Sequence, residues 1–590
     1  MTAVALFIGA KVVFMFANRG EQSFTLRDVA EVVQHGLTLD MSTALYIVVI
    51  PFLLTIVSIW YTGKWLDRAM HLWFAITAVA CGLAFTADTA LYPHWGFKLD
   101  ASCLQYLSTP GAAAASVPTW ALIVGAVFLV VLIVGIYGLF RLQYHPLMPL
   151  RKRWLYGLCC IVMAPLIFIG IRGGVEESTT NIGQVYYSQT PFFNHSAVNP
   201  VFSFLSSFEG TMRDDVHYSF MTSEECDSLL AGAYSTESID IDTLLTTRRP
   251  NVVLVMLESA GGQFMKIGGK DYVMPRFNQL CDEGVFFSQC YANSFRTDRA
   301  TVSIWSGHLS FPTISLQKIP KKNSKLPGLA RTLVRAGYDT HFFYGGDINF
   351  TKMRSYLINS GFDRFTYDAD FTRSEQRTAQ WGVCDSIMFD RVRDEIQAWS
   401  ADDKKPHLIG FCTLSSHEPW DVPIHELEDP VENAFYYLDQ CIGRFVDELR
   451  RTPQWDNLLL IFIPDHGVKY AEVDETKPLI MHIPVLWMGG AVKEPRVVDF
   501  ICNQSDQAAT LLGQMGINHD DYFFSRDVMS KTYTKPFAYH TFNNGFSMVD
   551  STGFVVYDLT SETIMAGDNK SLVGRGKAIL QHSSEDLSRR

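Results

Sequence analysis

Two apolar runs in this chain end in side chains suited to holding a divalent cation. Asn251-Val-Val-Leu-Val-Met-Leu257 runs directly into Glu258-Ser259, and Leu458-Leu-Leu-Ile-Phe-Ile-Pro464 runs directly into Asp465-His466-Gly467. Two carboxylates and an imidazole, with no thiolate beside them, suit Mn²⁺, Zn²⁺ or Mg²⁺. Such an ion polarises a phosphoryl oxygen and lowers the pKa of a nucleophile. Two further apolar runs end in polar groups, Tyr344-Gly-Gly-Asp347-Ile-Asn349 and Ser415-Ser416-His417-Glu418. One such ending is only what a strand needs for a cap or turn, but four together argue for one site. The hydroxyl-rich stretch Ser294-Phe-Arg296-Thr297-Asp298-Arg299-Ala-Thr301-Val-Ser303 precedes a helix-like run, where free N–H groups and the positive dipole end favour phosphate. Residue chemistry leaves Ser294, Thr297, Thr301 and Ser303 all open as nucleophile, and at least one of them as a helix cap. His417 and Arg354 are candidates for anion contact, against the plainer readings of a turn histidine and a solvated arginine. Trp305, Trp381 and Trp420 are candidate pocket walls, although buried tryptophans are more often core.

These groups need a scaffold that gathers strand ends. Continuous aliphatic runs read as strands buried on both faces, as in parallel sheets, and ligands of open α/β sheets sit beyond the carboxyl ends of such strands. Strands are expected at 251–257, 284–288, 339–344, 408–414, 458–463 and 484–488. Helices are expected at Pro275–Asp282, Lys325–Ala336, Thr351–Asn359, Ser386–Ser400, Glu432–Arg450 and Asp506–Met515. The alternation predicts a mostly parallel sheet with helices on both faces. Short strand-like runs at Phe537–Phe542, Gly545–Val549 and Gly553–Tyr557 predict a small antiparallel sheet at the C-terminus.

The first part of the chain differs in kind. Five apolar stretches, at about 1–17, 43–63, 70–91, 117–140 and 154–171, predict an all-α transmembrane domain of about five helices. The first is short and carries Lys11, yet it lacks the charged leader and small-residue cleavage site of a signal peptide. Lys64, Arg68, Arg141, Arg151, Lys152 and Arg153 flank one side, against Arg19, Arg27 and Lys98 on the other. The positive-inside rule therefore places the C-terminal portion outside the cytoplasm, with Arg172 as a small contrary signal. The expected organisation is 1–173 transmembrane, 174–245 connector, 246–530 catalytic α/β domain and 531–590 small β subdomain. The net charge of −12 argues against nucleic acid or an anionic lipid surface as a non-specific partner. The eleven cysteines show no C-x-x-C spacing, so neither a disulfide framework nor a structural zinc site is indicated, with Cys281–Cys290 the one bond considered.

Read together, Asn251-Val-Val-Leu-Val-Met-Leu-Glu258-Ser259, Phe295-Arg-Thr297-Asp-Arg299, Leu414-Ser-Ser-His417, Tyr437-Leu-Asp439-Gln, Pro464-Asp465-His466-Gly467 and Ile483-Pro484 are similar to motifs of a known family. The chain resembles the lipoteichoic acid synthase and phosphoglycerol transferase family, within the sulfatase and alkaline phosphatase superfamily. The resemblance implies that Glu258, Thr297, Asp465 and His466 hold one metal, Mn²⁺ first, with Thr297 as the nucleophile and His417 on the substrate phosphate. It implies a plasma-membrane enzyme with an outward-facing catalytic domain. A phospholipid such as phosphatidylglycerol would be the donor and a glycan, lipid or polymer the acceptor. The chain departs from the family around Tyr344–Arg354, where a His-Gly-Asn start followed by Trp and Arg is replaced by Tyr344-Gly-Gly-Asp347-Ile-Asn-Phe350-Thr-Lys-Met-Arg354. In the family that region shapes the glycerol-phosphate pocket, which makes Asp347 and Arg354 substrate-contact candidates here and leaves phosphoethanolamine transfer or phosphate-ester hydrolysis as alternatives to phosphoglycerol transfer. A non-catalytic binding module is disfavoured because all four metal-site residues are present. No Cys-x-Pro-x-Arg segment is present, which argues against a formylglycine-dependent sulfatase.

Overall fold

The computed structural model describes residues 1–20, 22–101, 103–104, 119–146, 152–211, 217–400 and 405–590. Residues 117–118 of the fourth apolar stretch and Arg151 of the loop-charge argument lie outside the described residues. The chain divides into two units, Met1–Asp214 and Asp215–Arg590, and the division falls inside the 174–245 stretch.

The first unit is helical. Helices α1 (Thr2–Ala17), α2 (Leu26–Ser58), α3 (Lys64–Trp95), α4 (Thr119–Gln143) and α5 (Arg153–Arg172) follow the five apolar stretches. Four of them, α2 to α5, are long and apolar enough to cross a membrane, whereas α1 is a shorter apolar helix. The expected five spans thus become four apolar helices plus α1, because its 16 residues reach only about 24 Å. Helices α2 and α3, of 33 and 32 residues, begin or end well beyond their apolar stretches. Thr25 Oγ1 accepts Asp28 N–H while Asp28 Oδ2 accepts Thr25 N–H, a reciprocal cap that explains why α2 starts so early. This unit also encloses charged side chains. Lys11 Nζ lies 2.7 Å from Asp40 Oδ2, and Asn199 Nδ2 donates to Asp40 Oδ1 at 2.9 Å. Lys98 pairs with Asp88, whose other oxygen accepts Leu99 N–H.

The second unit is built on an eight-stranded sheet. Its strands are β1 (Asn251–Leu257), β2 (Val285–Phe287), β4 (Asp339–Tyr344), β5 (Arg364–Thr366), β6 (His407–Cys412), β7 (Leu458–Pro464), β8 (Val485–Met488) and β9 (Arg496–Val498), in the order β5-β4-β6-β1-β7-β8-β2-β9. All pairings are parallel except those of β8 with its two neighbours. β1 and β7 are the centre, and every residue of β7 is buried, as their aliphatic composition requires. Separate apolar clusters pack on the two faces, one including Val252, Leu254 and Met256, the other Val253, Val255 and Leu257. Alternation along β1 thus feeds two cores, the mark of a sheet covered on both sides. The three-residue edge strands β5 and β9 were too short to show in the sequence pattern.

A two-stranded pair, β3 (Cys290–Tyr291) with β10 (Cys502–Asn503), lies beside a four-stranded antiparallel sheet of β11 (Phe537–Phe542), β12 (Gly545–Asp550), β13 (Gly553–Asp558) and β14 (Thr563–Gly567). The C-terminal sheet agrees with expectation. The helix Lys570–Arg589 that follows it does not, since no helix was expected there. Its buried Leu572, Gly576, Ala578, Ile579 and Leu580 give it a core-facing stripe against β12 and β13. All eleven cysteines are free, so Cys281–Cys290 is not a bond; Cys290 instead sits in register with Cys502.

Candidate metal centre

Register builds the site. β1 and β7 pair in parallel with Leu257 level with Pro464, so the next residues, Glu258 and Asp465, leave the sheet side by side. Asp465 N–H still donates to Leu257 O at 3.1 Å, and on the other flank Thr413 N–H donates to Met256 O at 3.0 Å. Glu258, Asp465 and His466 place one ligand atom each within 4.8 Å of one another, and they are the one such group of His, Cys, Asp or Glu among the described residues. His466 Nε2 is 3.4 Å from Asp465 Oδ2 and 3.9 Å from Glu258 Oε1.

Local bonds hold each ligand in place. Ser259 N–H and His466 N–H donate to Asp465 Oδ1 at 2.8 and 2.7 Å, while Ser259 Oγ donates to Glu258 Oε1 at 2.8 Å. Ser259 sits at φ 56°, a left-handed conformation that costs a non-glycine residue of order 1 kcal/mol and turns it back toward both carboxylates. His466 Nδ1 faces Gly467 O at 2.9 Å; a carbonyl only accepts, so Nδ1 carries the hydrogen and Nε2 is left with its lone pair toward the carboxylates. Gly467 is required by space: a Cβ there would lie 2.1 Å from Ile480 O.

The residues present fit a cation. Asp465 Oδ2 is fully enclosed and has no hydrogen-bond partner, an arrangement that is costly unless a positive group completes it. Burial, with Glu258 adding like-charge repulsion, pushes the Asp465 carboxyl up to about 7. For His466 burial disfavours the charge, but Asp465 and Glu258 outweigh it and the pKa is raised. The His466 shift reflects the negative charge of Asp465 and Glu258, which a divalent ion would neutralise, whereas the Asp465 shift is chiefly burial.

Of the four open hydroxyls, the structure brings one to this cluster. Thr297 Oγ1 donates to Glu258 Oε2 at 3.1 Å and lies 3.5 Å from His466 Nε2. It is the first residue of helix Thr297–Ser306, the end where N–H groups lack carbonyl partners one turn back. The other three are internal: Ser294 Oγ donates to Thr541 O, Thr301 Oγ1 to Thr297 O, and Ser303 Oγ pairs with Ser310 Oγ.

The remaining candidates divide between the segments that follow β4 and β6 and the surrounding core. His417 follows Ser416, whose Oγ donates to Glu258 O at 2.6 Å. Its ring meets Trp381 edge-on at 4.9 Å, and Trp381 meets Phe350 at 5.8 Å, so one aromatic wall joins the β6 and β4 loop ends. Asp347 lies outside the metal-type cluster and accepts Asn349 N–H at 2.9 Å. Arg354 packs its guanidinium over Phe365 and Tyr367. Trp305 is core, wholly buried with Nε1 on Met256 Sδ, whereas Trp420, partly buried, packs against the second apolar cluster. Asp385, which the sequence reading missed, clamps the His417 loop by accepting Leu414 N–H and Ser415 N–H at 2.8 and 3.0 Å. Its one sequence signal was an acidic residue opening a helix. The family motif residue Asp439 is similarly structural, capping helix Pro275–Cys281 through Arg276 N–H and Phe277 N–H.

Residues 250–517 match the Sulfatase family model, and this part of the chain is a sulfatase-family domain. The chain is 23% identical over 314 residues to lipoteichoic acid synthase 2 of Bacillus subtilis, covering 48% of each chain. It is 25% identical over 330 residues to the lipoteichoic acid synthase of Staphylococcus saprophyticus, covering 49% of each. It thus spans about half the length of the curated relatives it matches. Among solved structures, an alkaline phosphatase superfamily protein from Vibrio parahaemolyticus aligns with a TM-score of 0.56 and 26% identity, over 63% of this chain and 98% of that one. The lipoteichoic acid synthase LtaP of Listeria monocytogenes aligns with a TM-score of 0.52 and 16% identity over 62% and 98%, which shows a shared fold.

Proposed function

We propose that this chain is a membrane-bound, metal-dependent phospho-alcohol transferase. In this reading it moves a phospholipid head group, phosphoglycerol first, to an extracytoplasmic acceptor through a phosphothreonine on Thr297. The observation that carries the reading is the position of Thr297 Oγ1, at a helix N-terminus and within hydrogen-bond reach of Glu258 and His466. The similarity to lipoteichoic acid synthases supports the substrate class.

Glu258, Thr297, Asp465 and His466 would hold the ion, Mn²⁺ in preference to Zn²⁺ or Mg²⁺. When bound, the ion supplies Lewis-acid polarisation of the phosphate and lowers the pKa of the Thr297 hydroxyl. Thr297 Oγ1 then attacks phosphorus, the P–O bond to diacylglycerol breaks, and the released lipid alcohol takes the proton. The free N–H groups of helix Thr297–Ser306 would face the non-bridging oxygens. His417 would contact the phosphate, with Asp347 and Arg354 toward the head group. A second alcohol attacks the phosphothreonine and regenerates Thr297. Four apolar helices would keep the domain at its lipid substrate, and the loop charges orient it outward.

The test is mass spectrometry of the full chain in detergent after incubation with phosphatidylglycerol and phosphatidylethanolamine together. A phosphoglycerol adduct on Thr297 is expected. A phosphoethanolamine adduct would change the head group, and no adduct on Thr297 would remove the covalent mechanism.

A further inference from the structure

Two consecutive residues in the segment after β4 hold a backbone conformation that glycine alone adopts freely. Thr351 sits at φ 52° and Lys352 at φ 60°. A left-handed threonine is an outlier, because its branched Cβ crowds the following carbonyl. Such a conformation persists only where surrounding contacts over-determine it. Here the contacts come from the turn at 315–318. Gln317 Nε2 donates to Thr351 O at 3.2 Å and to Thr351 Oγ1 at 2.8 Å, and Lys352 Nζ donates to Lys318 O at 3.0 Å. On its other side the same turn is tied to the residue that follows Thr297. Ser315 Oγ donates to Asp298 O at 3.0 Å, and Lys318 Nζ pairs with Asp298 Oδ2 at 2.6 Å. The turn therefore bridges the start of helix Thr297–Ser306 and the strained pair.

The pair has neighbours that face the site. Phe350 meets Trp381 at 5.8 Å and Trp381 meets His417 at 4.9 Å, while Arg354 N–H closes the loop on Ile348 O at 2.9 Å. Gln317 itself is wholly buried, and its Oε1 has no hydrogen-bond partner. An apolar side chain of similar size would fill that space without an orphaned acceptor. Packing alone does not call for an amide here; holding the strained pair does.

We infer that Gln317 is a positioning residue for head-group recognition: it holds Thr351 and Lys352 in their left-handed backbone and so sets where Phe350 and Arg354 stand relative to Thr297. This rests on the transferase reading above. Gln317 acts through the backbone it holds and takes no part in bond making.

Three variants test this in full-length protein in detergent with Mn²⁺, supplied with phosphatidylglycerol and phosphatidylethanolamine. Gln317→Leu removes the donor and keeps the bulk. Thr351→Val removes the Oγ1 acceptor from the other side of the same bond. Gln317→Leu combined with Thr351→Gly removes both the donor and the strain. Gln317→Leu should raise KM for phosphatidylglycerol roughly 10-fold with kcat near normal, within what about 1 Å of misplacement costs. It should also move the ratio of phosphoglycerol to phosphoethanolamine adducts on Thr297 toward parity. Thr351→Val should shift both readouts the same way and by less. The double variant should return toward wild type, since glycine adopts φ 52° without being held. Wild-type KM and adduct ratio in both single variants overturn the proposal. So does a double variant no better than Gln317→Leu, or a Gln317→Leu defect confined to kcat or to melting temperature. If Gln317→Leu does not fold, Thr351→Val decides in the same terms. Absence of a Thr297 adduct in the wild-type protein is a different failure, since it removes the transferase reading first and this proposal with it.

Discussion

Both units enclose balanced ion pairs, Arg526 with Asp506 in the second as Lys11 with Asp40 in the first, but the second also encloses an unbalanced cluster. In the helical unit each enclosed cation has its own anion: Lys11 faces Asp40 and Lys98 faces Asp88, with all four side chains at most 2% exposed. In the second unit Glu258 and Asp465 are enclosed side by side with one imidazole between two carboxylates. A balanced buried pair is complete as it stands. An unbalanced cluster is complete only with a ligand. Burial of a charged residue therefore does not mark a functional site by itself; the uncompensated remainder does.

The sharpest break comes at the residue that links the charge cluster to chemistry. Thr297→Ala should lower phosphatidylglycerol turnover by roughly 10⁴-fold or more, as loss of a covalent nucleophile does, with the Thr297 adduct absent by mass spectrometry. Retained turnover would assign the nucleophile elsewhere. Chelation of the full-length protein should remove activity, and Mn²⁺ should restore it; activity persisting in metal-free protein would contradict the reading of the unbalanced cluster.

The next pair sets the two regions directly against each other. Asp40→Asn leaves Lys11 enclosed without its counter-charge and should cost about 3–5 kcal/mol, read as earlier thermal unfolding in detergent. Asp465→Asn should do the reverse in metal-free protein at pH 8, raising the unfolding temperature while abolishing activity. The sign follows from linkage. The Asp465 pKa rises from 3.8 to about 7 on folding, so the folded chain keeps a proton that the unfolded chain has released. That contribution is present at low pH and lost as the pH rises toward 7; the raised pKa of His466 acts in the same direction. Wild-type metal-free protein should therefore melt at lower temperature at pH 8 than at pH 5, and the advantage of Asp465→Asn should vanish at pH 5. A flat profile would show that the cluster is compensated without a ligand. The smallest effect is expected at the aromatic wall, where Trp381→Ala should raise KM several-fold with kcat near normal, because it removes packing against His417 and Phe350 without touching the ligands.

Much of this was legible in the chain. Strands as uniformly aliphatic as β1 and β7 have only one comfortable environment, the middle of a sheet covered on both faces, so their burial followed from composition. The polar residues at their ends followed from the rule that ligands gather beyond carboxyl ends. Edge strands β5 and β9 and helix Lys570–Arg589 escaped because three residues carry no periodicity, and because the helix's stripe of Leu, Gly, Ala and Ile is interrupted by polar residues that are also buried, among them Gln581, Ser583 and Ser584. Asp385 escaped because its partners, Leu414 N–H and Ser415 N–H, lie about thirty residues away in the chain.

The sequence by itself determined the kinds of atoms available: two carboxylates and an imidazole at strand ends, hydroxyls before a helix, and apolar helices ahead of both. It did so because side-chain chemistry and apolar periodicity are local properties. The family resemblance already named Thr297, but only the tertiary structure brought its hydroxyl within reach of Glu258 and His466 and enclosed Asp465 Oδ2 beside the His466 ring. Those facts depend on strand register and on bonds between distant segments, such as Leu257 level with Pro464 and Thr541 tied to Asn293. No local pattern encodes distances of that kind.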